Sequence, residues 1–524
     1  MTRSRTILES ILGLAAVAGV AVTPVVHSQA PARSSQVDPV GEGGEDPIAA
    51  GGDEQGAVAP RGRRDRSGGG ASYEQFCAGC HGPNLEGGSA TSLIDDEWLF
   101  GGTEADILES ITDGRPGTPM VAFGELLDDH QIWQLLVYIR QQKDRLGDRP
   151  ATIVDPDGHV VESEKQAFRF EVVARDLNTP WGIAFLPDGR MLVTERPGAV
   201  RLVEDGVLRP DPVAGTPTPW AVQDGGFLDV EVHPDYARNG WIYLSYAQPG
   251  PGNWSTTERG EGNTSMTRVV RGRIRDHRWV DEESLFEGGP ELFSSPSMHY
   301  GSRFIFDQKG KLLFSIGDRG RMETAQDLTS PLGKVHRVND DGTVPDDNPF
   351  VGRPDAVPTI WSYGHRNPQG FSIDPVNGLI WEAEHGPIGG DELNIIEPGL
   401  NYGWGVISHG IQQGIARRTA EGMESPIVHW TPAIAPSAIH FYGGTRYPRW
   451  KNDLFVTGLA GTALRRLEVS GRRVTHQEVL FNSFGRVRDV VTGPDGLLYV
   501  ALQLPGRRLS SSTPGVVVRL MPVE

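Results

Sequence analysis

From residue 166 to the C-terminus, apolar and polar residues alternate in short runs, each broken by a Pro, Asp or Gly turn. Gly182-Ile183-Ala184-Phe185-Leu186 runs into Pro187-Asp188-Gly189 and a second apolar stretch. The same strand–turn–strand unit recurs at 228–246 around His233-Pro234-Asp235, and at 302–318 around Asp307-Gln308-Lys309-Gly310. It appears again at 369–384 around Asp374-Pro375, at 438–459, and at 487–502 around Gly493-Pro494-Asp495-Gly496. Period-2 alternation between turn residues is the signature of half-buried strands. Units spaced irregularly by roughly 45–75 residues predict propeller blades with variable loops. Six copies predict an all-β six-bladed β-propeller over 166–524. A pair of β-sandwiches would explain the alternation but not six similar units.

The pattern ahead of residue 146 is different. Ile132, Leu135, Leu136 and Ile139 follow Asp128-Asp129 at the spacing of one buried helix face behind a capping residue. A shorter helix is expected around Tyr73 and Phe76, so 71–145 reads as a small all-α domain. Residues 31–70 are rich in Gly, Pro, Ser and charge and carry little to bury, which predicts a flexible linker. A second, shorter linker is expected over 146–165. Arg3 and Arg5, the apolar run Ile11–Val26 and Ser28-Gln29-Ala30 read as a signal peptide over 1–30. That run is short of the roughly 20 residues a membrane span needs, and no later segment is apolar enough to cross. A periplasmic or secreted location is expected, with no membrane span after signal cleavage.

The net charge of -19 excludes nucleic acid as a natural partner, because phosphate binding requires a basic surface. The abundance of glycine (67) and proline (39) fits a body made of many turns. Only two cysteines are present, Cys77 and Cys80, and they stand in Cys77-Ala78-Gly79-Cys80-His81. C-x-x-C-H is the attachment signature of a c-type haem, with two thioethers to the porphyrin and the adjacent His as an iron ligand. Attachment of haem c occurs outside the bacterial inner membrane, in agreement with export. Met120 lies in the loop Gly114-Arg115-Pro116-Gly117-Thr118-Pro119-Met120, which can carry a thioether sulfur over the iron. The segment 71–145 resembles a class I cytochrome c, and the resemblance implies His81 and Met120 as axial ligands.

The β region holds polar segments that turns alone do not require: Gly364-His365-Arg366-Asn367-Pro368-Gln369-Gly370, Glu384-His385-Gly386-Pro387 with Gly390-Asp391-Glu392-Leu393-Asn394, Asn401-Tyr402-Gly403-Trp404, His299-Tyr300-Gly301-Ser302-Arg303, Trp430-Thr431-Pro432 and Arg486-Val487-Arg488-Asp489. Arg366, Arg486 and Arg488 can clamp the carboxylates of a compact polyanion. Backbone carbonyls of Gly386 and Pro387 near Asp391 and Glu392 suit an oxygen-seeking cation such as calcium. His299 has the chemistry of a general base near neutral pH. His365, His385 and His233 read as structural hydrogen-bonders, and Trp404 as core.

These segments, in this order, resemble the soluble PQQ-dependent glucose and aldose-sugar dehydrogenases, a six-bladed propeller family, over most of 170–505. The resemblance implies oxidation of a sugar or related alcohol or aldehyde at PQQ, with electrons passed to the haem and on to a periplasmic electron acceptor. It implies His299 as the base taking the C1 hydroxyl proton, and Arg366, Asn367, Arg486 and Arg488 as holders of PQQ. Gly386 and Pro387 would ligate calcium, Glu392 and Tyr402 would sit at a second calcium site, and Trp430 would line the substrate mouth. Ala460 replaces a cofactor-contacting Lys of the family, with Arg465 or Arg466 as candidates to compensate. Asp224 replaces a Gln, displaced here to Gln223; Met298 replaces an Asp; and Ile427 stands where an aromatic is expected. Two other readings follow from the same residues: a calcium-dependent propeller hydrolase such as a lactonase, or a non-catalytic propeller that docks an electron-transfer partner.

Overall fold

The computed structural model describes residues 68–95, 97–146, 155–251, 263–295, 298–504 and 513–523. The expected signal peptide lies outside the described residues, as do residues 31–67 of the first expected linker and 147–154 of the second. No helix among the described residues is long and apolar enough to cross a membrane.

Six antiparallel sheets form a ring, five of four strands and one of five. The six repeating units of the sequence supply the first two strands of the six sheets. The inner strands are Pro180–Phe185, Phe227–Val232, Phe304–Phe306, Pro368–Ile373, Pro436–Phe441 and Arg486–Thr492, each packed on its neighbours around the ring. Strand Phe168–Asn178, from before the first blade, pairs with Pro514–Pro522 at the end of the chain (Phe168↔Pro522, Val172↔Val518). One sheet thus carries both ends of the propeller, so the ring closes through backbone hydrogen bonds and exposes no inner edge. Val160–Val161 adds a fifth strand to this sheet, so part of the expected second linker is ordered against the last blade.

Arg303 occupies the centre of the ring, 6% exposed. Its Nη1 donates to Asp229 Oδ1 at 2.9 Å and to Asp489 Oδ1 at 3.2 Å. Its Nε donates to the Gln369 carbonyl at 2.9 Å and its Nη2 to the Ser437 carbonyl at 3.2 Å. The guanidinium lies 4.3 Å from the Trp181 ring centroid. With Arg303 on the third blade, this one group touches all six. The two carboxylates also accept from the backbone, Asp229 from Phe304 N and Asp489 from Ile183 N, each at 2.7 Å.

The helical part comprises α1 (Gly68–Phe76), α2 (Ala78–His81), α3 (Glu104–Thr112) and α4 (Asp129–Leu146). Asp128 caps α4 reciprocally: Gln131 N donates to Asp128 Oδ1 at 2.8 Å, and Asp128 N donates to Gln131 Oε1 at 3.0 Å. Ile132, Leu135, Leu136 and Ile139 are all buried, as the periodicity predicts. Gly68-Gly69-Gly70 differ from expectation. They form the first turn of α1 rather than the end of a flexible linker, because a Cβ on Gly69 would collide with the Gln134 carbonyl of α4. The glycines let two helix backbones meet.

Removing the hub cation would leave Asp229 and Asp489 buried and uncompensated. Arg303→Met is expected to cost about 3–5 kcal/mol of stability, read as a lowered denaturant midpoint. Adding Asp229→Asn and Asp489→Asn to that variant should return most of the loss.

Candidate active site

His299 precedes the hub arginine by four residues and has a left-handed backbone, φ +53°. That conformation is costly for a residue with a Cβ and persists only where its surroundings impose it. Its Nδ1 lies 2.7 Å from Asp318 Oδ1. A carboxylate only accepts, so Nδ1 carries the proton and Nε2 is left with a lone pair. Asp318 is fixed in turn by Trp404 Nε1 on Oδ2 at 2.7 Å and Gly320 N on Oδ1 at 2.8 Å. Although burial favours the neutral acid, these donors hold Asp318 below the ordinary aspartate value. Trp404, expected as plain core, therefore orients the candidate base, and its ring lies 5.2 Å from the Arg366 guanidinium.

Arg366 donates Nη1 to the His385 carbonyl at 3.1 Å, while its buried Nε has no hydrogen-bond partner. Burial lowers its pKa even with Asp318 and Asp391 nearby. Arg488 is more perturbed: burial pushes its pKa well below the ordinary value, and Arg486 and Arg196 push in the same direction. Exposed Asp224 offsets part of this charge. His385 sits among Arg366, His299 and Arg488, and burial, with the arginine charges beside it, takes it down to about 3. Neutral His385 donates Nε2–H to the Pro436 carbonyl at 2.8 Å and accepts from Asn367 Nδ2 at 3.3 Å. Asn367 Oδ1 accepts from Gly301 N at 3.0 Å and Gln369 Nε2 at 3.1 Å, so this amide ties two inner strands beneath the arginines. A buried guanidinium with an orphaned donor, beside a cluster of like charge, fits a compact polyanion.

A small cleft opens beside Arg366, lined by Glu384, Gly386, Pro387, Glu392 and Tyr402. Beneath it Glu382, Glu384 and Glu392 converge on Asn394 Nδ2 at 3.2, 3.5 and 3.4 Å. His365 Nδ1 meets Glu384 Oε1 at 3.2 Å, and Glu382 Oε1 is buried without a hydrogen-bond partner. Burial and mutual repulsion raise Glu382 well above the ordinary range and Glu392 to about 8. Ligand atoms of His365, Glu382 and Glu384 lie within 4.8 Å of one another. This donor set fits a hard divalent cation. Asp391 does not join it: its Oδ1 accepts from Gly386 N at 2.8 Å and its Oδ2 from Ala435 N at 2.6 Å, so it folds the loop. Gly386 is required there, because a Cβ would strike the Gly390 carbonyl.

In the helical part, His81 Nδ1 is 2.8 Å from the Thr91 carbonyl, so it donates there and leaves Nε2 for a metal. Cys77 is half-buried and Cys80 exposed. Phe76, Leu93, Trp98, Met120 and Phe123 pack against the helical core while remaining partly exposed. This half-buried apolar set suits a large flat apolar group such as haem.

Two expectations change. Trp430 is in the blade core with Trp381 and Leu393, its Nε1 donating to Gln477 Oε1 at 3.0 Å, and only its carbonyl, accepting from Gly390 N at 2.9 Å, reaches the loop of the site. Arg466 cannot replace the missing Lys, because its fully buried guanidinium is paired with Asp453, Glu468, Glu478 and Glu164 on the outer part of its blade. Arg196, buried and electrostatically linked to Asp224 and Arg486, is the additional cation at the cluster. Sequence reasoning missed it and Asp318; the only signal of Asp318 was the polar Gly317-Asp318-Arg319-Gly320 after an apolar strand.

A family profile described as glucose/sorbosone dehydrogenase matches residues 177–509, and one described as cytochrome c oxidase, cbb3-type, subunit III matches residues 65–139. The chain is 39% identical over 340 residues to aldose sugar dehydrogenase YliI of Escherichia coli, across 63% of this chain and 88% of that protein. The crystal structure of the soluble aldose sugar dehydrogenase from Escherichia coli in the apo-form matches with a TM-score of 0.61 and 36% identity, covering 68% of this chain and 100% of that one. The PQQ-bound form of aldose sugar dehydrogenase from Streptomyces coelicolor matches with a TM-score of 0.54 and 25% identity, covering 70% and 100%.

The acidic cluster has a signed pH signature. A folded-state pKa raised from 4.5 to about 8, as at Glu392, gives stability that is full at low pH and lost as pH rises through that window. In a chelator, the thermal midpoint should fall over this range. Calcium at 100 times its Kd should return about 2.7 kcal/mol. Glu382→Gln should raise the metal-free midpoint at pH 8 and shrink the calcium increment.

Proposed function

The chain belongs to the glucose/sorbosone dehydrogenase family and carries a cytochrome c domain ahead of its propeller, and from this we propose that it oxidises an aldose sugar or related alcohol or aldehyde at a PQQ–calcium site and delivers the electrons to a covalently attached haem c. Bound PQQ would supply a two-electron acceptor, calcium a Lewis acid, and haem a one-electron carrier. Arg366, Arg486 and Arg488, with Arg196 beside them, neutralise the carboxylates of the quinone cofactor, and Asn367 braces that floor. The Gly386 and Pro387 carbonyls reach one calcium position. Glu392 and Tyr402, with Glu382 and Glu384, serve the second. His299 Nε2 receives the C1 hydroxyl proton, and Asp318 stabilises the imidazolium that results. Cys77 and Cys80 would carry the thioethers, and His81 and Met120 would ligate the haem iron. A soluble one-electron acceptor outside the cytoplasm completes the turnover.

One observation carries this reading: a base held at 2.7 Å by a buried carboxylate stands next to a buried arginine with an unmet donor. A lactonase would need the cation but has no use for the arginine cluster. The test adds PQQ and calcium to haem-matured protein and follows the reduced-haem α-band with a panel of aldoses, aldehydes and polyols. PQQ-dependent reduction supports the reading, and its absence with every substrate sinks it.

His299→Ala is expected to lower kcat by about 10²–10⁴-fold, the usual contribution of a positioned base. Asp318→Asn should keep cofactor binding while lowering kcat and shifting the basic limb of the kcat/KM–pH profile. Met120→Ala should lower the haem midpoint potential, because a thioether ligand raises it, and leave dye-coupled sugar oxidation intact.

A further inference from the structure

One wall of the pocket is also the floor on which the helical domain rests. On α4, residues Asp129, Trp133 and Val137, four apart, share a face. Trp133 Nε1 donates to the His409 carbonyl at 3.2 Å, and its ring meets His429 edge-on at 6.1 Å and the Arg418 guanidinium at 4.5 Å. Ile411 of the propeller is buried within the core of the helical domain, alongside Trp133 and Val137. Val137 Cγ1 is 3.2 Å from where a Gly389 Cβ would stand.

The same propeller segments face the pocket on their other side. Gly386, Pro387 and Ser408 line it together with Arg366. Ile411 N donates to the Ile388 carbonyl at 2.9 Å, and a Cβ on Gly410 would lie 2.9 Å from Pro387 Cγ. Two backbone segments in direct contact, 386–390 and 408–411, thus separate the pocket from α4. Glycines at 390 and 410 keep that wall thin, since a Cβ at either would strike the backbone of the facing segment.

We propose that this wall is the electron route from the pocket beside Arg366 to the haem domain, with Trp133 on its far side and Ile411 as the plug that holds the two parts docked. The inference rests on the dehydrogenase reading above. Oxidation at C1 breaks one C–H and one O–H bond and releases two electrons and two protons. The protons leave to solvent through His299. The two electrons would cross the wall one at a time to the single haem, which an external one-electron acceptor would reoxidise between transfers. A cavity lined by Trp133, Ser408, Gly410 and Arg418 lies on the α4 side of the wall, so the direct path runs through the Ile411 and Trp133 contacts.

The test uses the full haem-bearing chain. Ile411→Cys is treated with a maleimide, with exposed Val376→Cys (69% exposed) as the control. Docking requires labelling at 411 to be at least tenfold slower until the protein is denatured; equal rates overturn the proposal without reference to activity. Ile411→Glu is then mixed with PQQ, calcium and sugar. The route requires haem reduction to slow at least tenfold while oxidation coupled to a small dye stays unchanged. Unslowed haem reduction overturns the route and leaves the dehydrogenase reading standing. Absence of PQQ-dependent dye turnover in the unsubstituted protein removes both. Arg418→Glu, at the rim of the same contact, replaces Ile411→Glu if that variant does not mature.

Discussion

A single guanidinium at the propeller axis sets the geometry on which everything else depends. Arg303 reaches two carboxylates, two carbonyls and an aromatic face on five different blades from its own sixth. Its partners stand one or two residues from site positions: Asp489 follows Arg488, and Gln369 lies two beyond Asn367. Burial lifts Asp229 to about 6 despite the cation, so the hub is an electrostatic compromise, held by geometry that leaves little slack. Such a centre specifies which strands meet and at what height, and so aims the loops above it.

Those loops hold opposite charges apart within one mouth. On one side burial, aided by Arg486 and Arg196, pushes Arg488 down; on the other burial, aided by Glu384, raises Glu382. Neither cluster is satisfied internally, and each has a buried atom with no hydrogen-bond partner, Arg366 Nε and Glu382 Oε1. His299 adds a strained backbone between them. Local conflict of this kind, within a fold otherwise consistent from strand pattern to core, marks the places where stability has been spent on binding and chemistry.

Close backbone approach is the second recurring device. Gly69 lets α1 lie on α4, Gly386 closes the pocket loop, and Gly410 lets segment 408–411 lie on segment 386–390. In each case a missing Cβ fixes a distance rather than granting freedom. The result is one compact unit in which the helical domain and the pocket share a wall.

The sequence by itself determined the blades, the helical domain and its capped α4, and the haem motif, because alternation, capping and C-x-x-C-H are local patterns fixed by backbone geometry. It also brought Arg366, Asn367, Arg488 and His299 forward, since their segments carry more polar groups than turns need. It could not place Trp430, whose indole turned into the core, or Arg466, whose four carboxylates come from two strands, a turn and the segment before the propeller. Nor could it show Arg196 beside Arg486 and Arg488, Trp404 on Asp318, or α4 on Ile411. These partners lie far apart along the chain, and only the packing of blades around the ring and of α4 on the propeller brings them together. Local pattern decides which strands and helices exist; which side chains converge at the axis is decided by the closed sheet.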